Sequence, residues 1–317
     1  MPFEPQVRSA PGICTQRQVE ALYAARKFFG PGVAAQAFIS TGITVSYAVL
    51  EQPPMNWAVG VERVVLIAGF MQPKDTILVL DNRGFDGTDA PFGMYSTRIM
   101  AEDVLALMDH IGWQSAHILV EGAMGGMIAQ ELALLDLQRV RSLTLVSTSR
   151  DRYKASGRSL GLMARKTFSL TISAKANSMV DTLFPQEYLA TTTIAETNES
   201  VRGAIARMYE LQLKEWPEPG LSGVMGQTAA VQTHFVSDER LHEMNGAGFP
   251  ILIVSAMLDD VIPPAESMVL KQQLSEDHVH TMFFEVGGHG AICEYADDIA
   301  DEVIETMRRA LPPSYPA

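Results

Sequence analysis

Three places in the chain hold residue types in settings that could do chemistry. The first is ILVEGAMGGMIAQELALL, residues 118–135, an apolar strand that passes through a tight glycine-bearing turn into an amphipathic helix. A strand, turn and helix of this kind presents one residue at the top of the turn, next to helix N-terminal N–H groups that can hold developing negative charge. Serine there would be a nucleophile; the residue is Ala123, which has neither a lone pair nor a transferable proton. The second place is His289 in GGHGA, where flanking glycines leave an imidazole reachable as an acid or base. The third is ILIVSAMLDDVIPP, in which Asp259 and Asp260 follow an apolar run and either carboxylate could orient a histidine.

These residues need a scaffold, and the pattern around them alternates. Residues 18–29, QVEALYAARKFF, have helical spacing, and AAQAFISTGITVSYAVLEQPP reads as two strands around the turn Ser40-Thr41-Gly42. RVVLIAGF, TILVLDNRG, AHILVEG and RVRSLTLVSTS read as short buried strands, with a helix in TRIMAEDVLALMDHIGW that ends at Gly112. From Arg150 to about Gly248 the strand signal stops and helical segments take over; it resumes with FPILIVSA and HTMFFEV before a last helix. Strands and helices in this order specify an α/β chain with a mostly parallel sheet covered on both faces. The helical block inserted between strands reads as a cap. Asp81 and Arg83 in DNRG read as a structural charge-assisted contact. His110, His117, His234, His242, His278 and His280 sit in ordinary contexts and read as surface or packing residues.

Composition excludes several partners. The 317 residues are 47% apolar and 19% charged, enough to bury a full core, and the net charge of -13 repels phosphate backbones and anionic lipid headgroups. No nucleic-acid partner and no membrane insertion are expected. The N-terminal segment lacks the pattern of a secretion signal, which points to a cytoplasmic protein. Cys14 and Cys293 lie far apart with no spacing suited to a metal, so plain thiols and no metal site are expected. A homodimer is compatible with everything in the sequence.

The blocks VVLIAGF, LVLDNRGFDGTDAP, MAEDVLALMDHIGW, AMGGMIAQELALL, RVRSLTLVSTS, ILIVSAMLDDVIPP and EVGGHGAICEYADDIADEV resemble, in this order, the successive core blocks of the α/β-hydrolase superfamily. The resemblance covers about residues 35–310. It implies an eight-stranded, mostly parallel sheet with an insertion after the sixth strand. The core would then be residues 1–149 and 249–317, and the helical cap residues 150–248. It also implies roles. Ala123 stands at the nucleophile position and His289 at the base, with no metal or organic cofactor. Asp259 is the orienting acid, because the family spacing of an acid, a variable residue, two apolar residues and proline matches Asp259-Asp260-Val261-Ile262-Pro263. The N–H groups of Met124 and Phe70 match the oxyanion donors, and Met71, Glu121 and Met163 are candidate substrate contacts.

The chain departs from the family pattern at Ala123, at Glu121, where a small residue is usual, and at Ala68, where many relatives carry histidine. Three readings follow. The one adopted is a hydrolase of a medium-sized hydrophobic ester, thioester or lactone, working by Ser-His-Asp chemistry and present here in a Ser-to-Ala inactivated form. A second is a natural cofactor-free cyclase, lyase or isomerase that uses His289 and Asp259 as acid/base. The third is a non-catalytic ligand-binding protein on the same fold. A last irregularity is the link MQPKD, which is too short for the helical crossover that parallel neighbours ordinarily need. Either a segment is absent from the sequence or the sheet is locally rebuilt.

Overall fold

The central strands are buried along almost their whole length because both faces of the sheet are covered. The computed structural model describes residues 7–8, 13–14, 34–50, 63–67, 76–120, 122–152, 168–215, 220–274 and 277–310, with positions 157, 161 and 165. Its strands are β1 (Val7–Arg8), β2 (Ile13–Cys14), β3 (Ala35–Phe38), β4 (Thr44–Leu50), β5 (Arg63–Ile67), β6 (Thr76–Leu80), β7 (Ala116–Val120), β8 (Val140–Val146), β9 (Thr193–Ile194), β10 (Ile251–Ala256) and β11 (Val279–Phe284). Its helices are α1 (Thr97–His110), α2 (Ala123–Leu135), α3 (Ile172–Leu183), α4 (Gln186–Thr191), α5 (Val201–Glu215), α6 (Leu221–Thr233), α7 (Asp238–Gly246), α8 (Pro264–Gln273), α9 (Ala291–Glu294) and α10 (Ala296–Arg309). The helical pattern of residues 18–29 lies outside the described residues.

The main sheet runs β1-β11-β10-β8-β7-β5-β6-β4-β3. β3, β4 and β6 pair antiparallel, and every other neighbour is parallel. It therefore has nine strands among the described residues, not eight, because the two residues of β1 extend its edge beside β11. Two residues are too few to leave a periodic signal. The pleat sends alternate side chains to two cores: Ile118, Val120 and Ile253 join one, Leu119, Leu252 and Val254 the other.

The short link between β5 and β6 does not rebuild the sheet. The two strands pair in parallel, Val64 opposite Ile77 and Val65 opposite Leu78. The nine steps from Ile67 to Thr76 can reach about 30 Å, and the return along β5 with one sidestep is about 14 Å, so no helix is required.

Helix signals behave as their chemistry dictates. The Ser96 hydroxyl caps α1 by accepting from the Ile99 N–H at 3.2 Å. Past its end, Trp113 N–H reaches Met108 O and Gly112 N–H reaches Asp109 O, which closes the helix. Within residues 150–248, α3 packs on α5, and Val180, Ile205 and Met208 join the same core as Phe284 and Tyr295. α6 docks on the loop after β6, where Gln227 donates to Arg83 O at 3.0 Å. α7 is tied to α2 by the bidentate Arg240–Glu131 pair at 2.8 and 3.0 Å.

The charged residue of DNRG has a partner other than the one expected. Arg83 forks onto Asp103 of α1 at 2.6 and 2.8 Å rather than onto Asp81, and Thr41 adds a 2.6 Å hydrogen bond to the same carboxylate. The chain turns after Asn82, where Phe85 N–H closes on Asn82 O at 3.0 Å, and the Arg83 guanidinium is met by α1. Among the histidines, His117 is buried against the Ser142 hydroxyl at 2.7 Å and His234 against that of Thr97 at 2.9 Å. Both are packing residues.

Candidate active site

β7 ends at Val120, and two residues later the chain enters α2. Gly122 carries the left-handed backbone of this turn, with φ of 80°, and Ala123 is already the first helical residue. The positive φ therefore falls on the residue before the top of the elbow. A Cβ in the left-handed region costs about 1–2 kcal/mol, and the neighbouring glycine takes that conformation without the penalty. The amides of Ala123, Met124 and Gly125 precede the first helical hydrogen bond, from Gly126 N–H to Gly122 O, so they point out of the helix N-terminus. The Thr148 hydroxyl donates to Ala123 O at 2.8 Å and fixes the start of the helix. A Cβ at Gly126 would fall 2.4 Å from the Thr148 side chain, which explains the glycine there.

The acid and base follow the ends of β10 and β11. Asp259 follows β10 with its side chain fully buried, and its Oδ1 accepts the N–H groups of Val261 and Ile262 at 2.8 and 2.9 Å. Its Oδ2 lies 2.9 Å from Nδ1 of His289. A carboxylate only accepts, so Nδ1 is the donor and Nε2 is left able to take a proton. The loop that carries His289 is held at each side: Leu258 N–H to Gly287 O at 3.0 Å, and Gly290 N–H to Leu183 O at 2.7 Å. A Cβ at Gly288 would lie 2.7 Å from Leu183 O, so the end of α3 can reach the loop only because glycine is there. Asp260 lines a cleft.

Glu294 is the site neighbour that sequence reasoning missed. It lies in α9, buried, with Oε1 accepting the Gly288 N–H at 2.9 Å. Burial pushes its carboxyl up to about 8, the Gly288 hydrogen bond pulls it down, and the negative charge of Asp259 pushes it further up. The only sequence signal was an acid placed among Ile292, Cys293 and Tyr295 directly after the histidine loop. Cys293 is a buried thiol in no disulfide.

β7, β10 and β11 are parallel, so Ala123, Asp259 and His289 all follow strand ends on one edge of the sheet. β8 separates β7 from β10, which places their ends about 10 Å apart at the level of the strands. Phe70, Met71, Glu121 and Met163, together with Ala68, lie outside the described residues. A cleft of about 350 Å³ opens between the α3–α4 segment and residues 257–264. Leu183, Phe184, Pro185, Met257, Leu258, Pro263 and Pro264 supply its apolar walls, with Asp181, Thr182, Glu187, Asp259 and Asp260 between them. Ala123 and His289 do not line it. Among the described residues, no three histidine, cysteine or carboxylate side chains gather as a metal site requires, and no helix is long and apolar enough to cross a membrane.

The strand order, the elbow and the acid–base pair define a class, and comparison gives it a family. Residues 67–294 match the family model described as the alpha/beta hydrolase fold, and the chain belongs to that family. It is similar to a Variovorax paradoxus protein designated carbamate hydrolase RutD, 25% identical over 259 residues that cover 79% of this chain and 91% of the relative. The RutD of Pseudomonas savastanoi pv. phaseolicola is 23% identical over 68% of this chain and 76% of its own. Among solved structures, the enol-lactonase of Burkholderia xenovorans LB400 superposes with a TM-score of 0.63 at 18% identity, covering 86% of this chain and 100% of that one. A Ser-to-Ala mutant of the meta-cleavage product hydrolase of Pseudomonas fluorescens IP01, complexed with acetates, gives 0.63 at 20% identity, covering 88% and 99%. These likenesses establish the fold.

Proposed function

We propose that this chain is the Ser-to-Ala inactivated form of an enzyme that hydrolyses a medium-sized hydrophobic ester, thioester or lactone, with position 123 as the nucleophile, His289 as the general base and Asp259 as its orienting acid. The observation that carries the reading is the 2.9 Å contact between the two, with the second Asp259 oxygen clamped by two amides. Such a carboxylate holds the imidazole in one tautomer and stabilises the imidazolium once it forms. Relatives named as a carbamate hydrolase and an enol-lactonase support carbonyl chemistry. The net charge of -13 supports an uncharged or weakly charged ligand over a polyanion.

Position 123 sets the route. With alanine no acyl-enzyme forms, so the chain is inactive by this route. With serine the hydroxyl oxygen bonds to the carbonyl carbon, its proton passes to Nε2 of His289, and the same proton then leaves with the departing alkoxide or thiolate. The Met124 N–H at the start of α2 is the proposed oxyanion donor within the described residues, and Phe70 N–H is the proposed second donor. The acyl-enzyme left behind is then hydrolysed by water.

A second reading is favoured by one observation. The left-handed backbone at Gly122 leaves Ala123 in plain helical geometry, which is not how a nucleophile is presented. A cofactor-free cyclase, lyase or isomerase would need only the His289–Asp259 pair. Rapid mixing of Ala123→Ser with a chromogenic ester decides between them. A burst of product from acyl-enzyme formation marks a serine hydrolase altered at one residue; unchanged steady turnover with no burst favours a site that never used residue 123.

A further inference from the structure

Glu294 occupies an unusual place for a carboxyl group. It is 1% exposed, its Oε1 accepts the Gly288 N–H, and its buried Oε2 meets no hydrogen-bond partner among the described residues. Asp259, a second buried carboxylate, repels it. An ionised Glu294 would thus hold two anionic oxygens against a single donor, beside another negative charge, out of water. A proton on Oε2 removes the charge, at the smaller cost of one unpaired O–H, and leaves Oε1 able to accept from Gly288.

We propose that Glu294 is held as the neutral carboxylic acid, that it positions the His289 loop through Gly288, and that its ionisation adds a second negative charge to the His289–Asp259 pair. The inference rests on the reading of His289 as the base. Asp259 faces Glu294 from the loop after β10, and His289 belongs to the loop that Glu294 holds. Tyr295 adjoins it, itself acted on by Glu285 and Asp298. From α3 the loop is met by the Leu183 carbonyl and the Phe184 ring, while Asp181 of that helix is paired with Arg165 and Arg202. Of the groups on the loop, only His289 can become a cation. An ionised Glu294 therefore favours the imidazolium and holds the proton on His289 to higher pH than the charge of Asp259 alone would.

The sign for stability is also fixed. A carboxyl whose folded value stands above its unfolded one makes the folded chain bind more protons, so stability falls as pH rises from 4.5 to about 8 and levels off beyond. Glutamine keeps the oxygen that accepts from Gly288 and cannot ionise.

The test is an NMR titration of the His289 imidazole in the full chain and in Glu294→Gln, with thermal midpoints taken at the same pH values. The expected result is a second shift of the His289 signals near pH 8 in the parent, absent from the glutamine variant. The midpoint of Glu294→Gln should also gain on the parent steadily through that window. A parent without the second step overturns the proposal, as does a glutamine variant less stable by the same margin at every pH. Should Glu294→Gln fail to fold, the carboxyl carbon of Glu294 in the parent is titrated directly. A midpoint near 8 upholds the proposal, and one near the ordinary 4.5 overturns it. No substrate enters the measurement, so a failure of the hydrolase reading is seen separately.

Discussion

Thr148 stands against Gly126 and at the same time donates its hydroxyl to the carbonyl of Ala123. One threonine at the end of β8 thus sets both the closeness of α2 to the sheet and the placement of the residue at the elbow. Gly126→Ala should cost about 1–3 kcal/mol by overpacking. Thr148→Val should cost about 1 kcal/mol through the lost hydrogen bond. Thr148→Gly, which alone removes the Cβ that lies 2.4 Å from a Cβ at 126, should relieve Gly126→Ala, so that the double variant is more stable than the sum of the two losses. Denaturant unfolding of the four chains checks this, and strict additivity would contradict the contact.

The Asp259 contact can be tested without removing the side chain. In Asp259→Asn the amide oxygen can still accept from Val261 and Ile262, but its N–H₂ then faces Nδ1 of His289. That selects the tautomer with the proton on Nε2, which cannot act as a base. Turnover by Ala123→Ser should fall by about a thousandfold or more when Asp259→Asn is added, with the thermal midpoint little changed. Equal activity would remove Asp259 from the account.

His234 gives an acid-side prediction. Desolvation lowers it from 6.5 to about 4, so the unfolded chain takes up a proton there before the folded chain does. Its contribution is complete above pH 6.5 and is lost as the pH falls toward 4, up to about 3 kcal/mol. His234→Gln should flatten that part of the stability profile, as read from urea midpoints across the window. A slope identical to that of the parent would rule out the assignment.

The Arg83–Asp103 pair ties the loop after β6 to α1 with both partners buried. Asp103→Ala leaves the guanidinium without its carboxylate and the Thr41 hydroxyl without its acceptor, a loss of about 3–5 kcal/mol. The thermal midpoint should drop steeply. A loss below about 1 kcal/mol would show that the pair is solvated rather than buried.

The sequence carried the order of the strands because each parallel strand is a short apolar run and each turn bears glycine, so the fold and its family were legible before any coordinates. The departure at Ala123 was equally plain, since a missing hydroxyl is a matter of residue type. Backbone conformation was not legible. Nothing in EGAMGG says that Gly122 rather than residue 123 takes the positive φ, because that depends on how Thr148 and β8 seat the helix. The partner of Arg83 was missed because Asp103 is distant in sequence and Asp81 is near. Glu294 was passed over because its chemistry comes from burial beside Asp259. β1 was missed because two residues have no period.

The central claim is that His289 supplies the base for hydrolysis of a hydrophobic carbonyl compound. The direct measurement is acid release from a panel of hydrophobic esters, thioesters and lactones by Ala123→Ser and by the same chain carrying His289→Ala as well, both verified as folded. The account predicts turnover of at least one compound by Ala123→Ser and a loss of about a hundredfold to ten-thousandfold when His289→Ala is added. Undiminished turnover after His289→Ala, or no turnover of any panel member by Ala123→Ser, would contradict it.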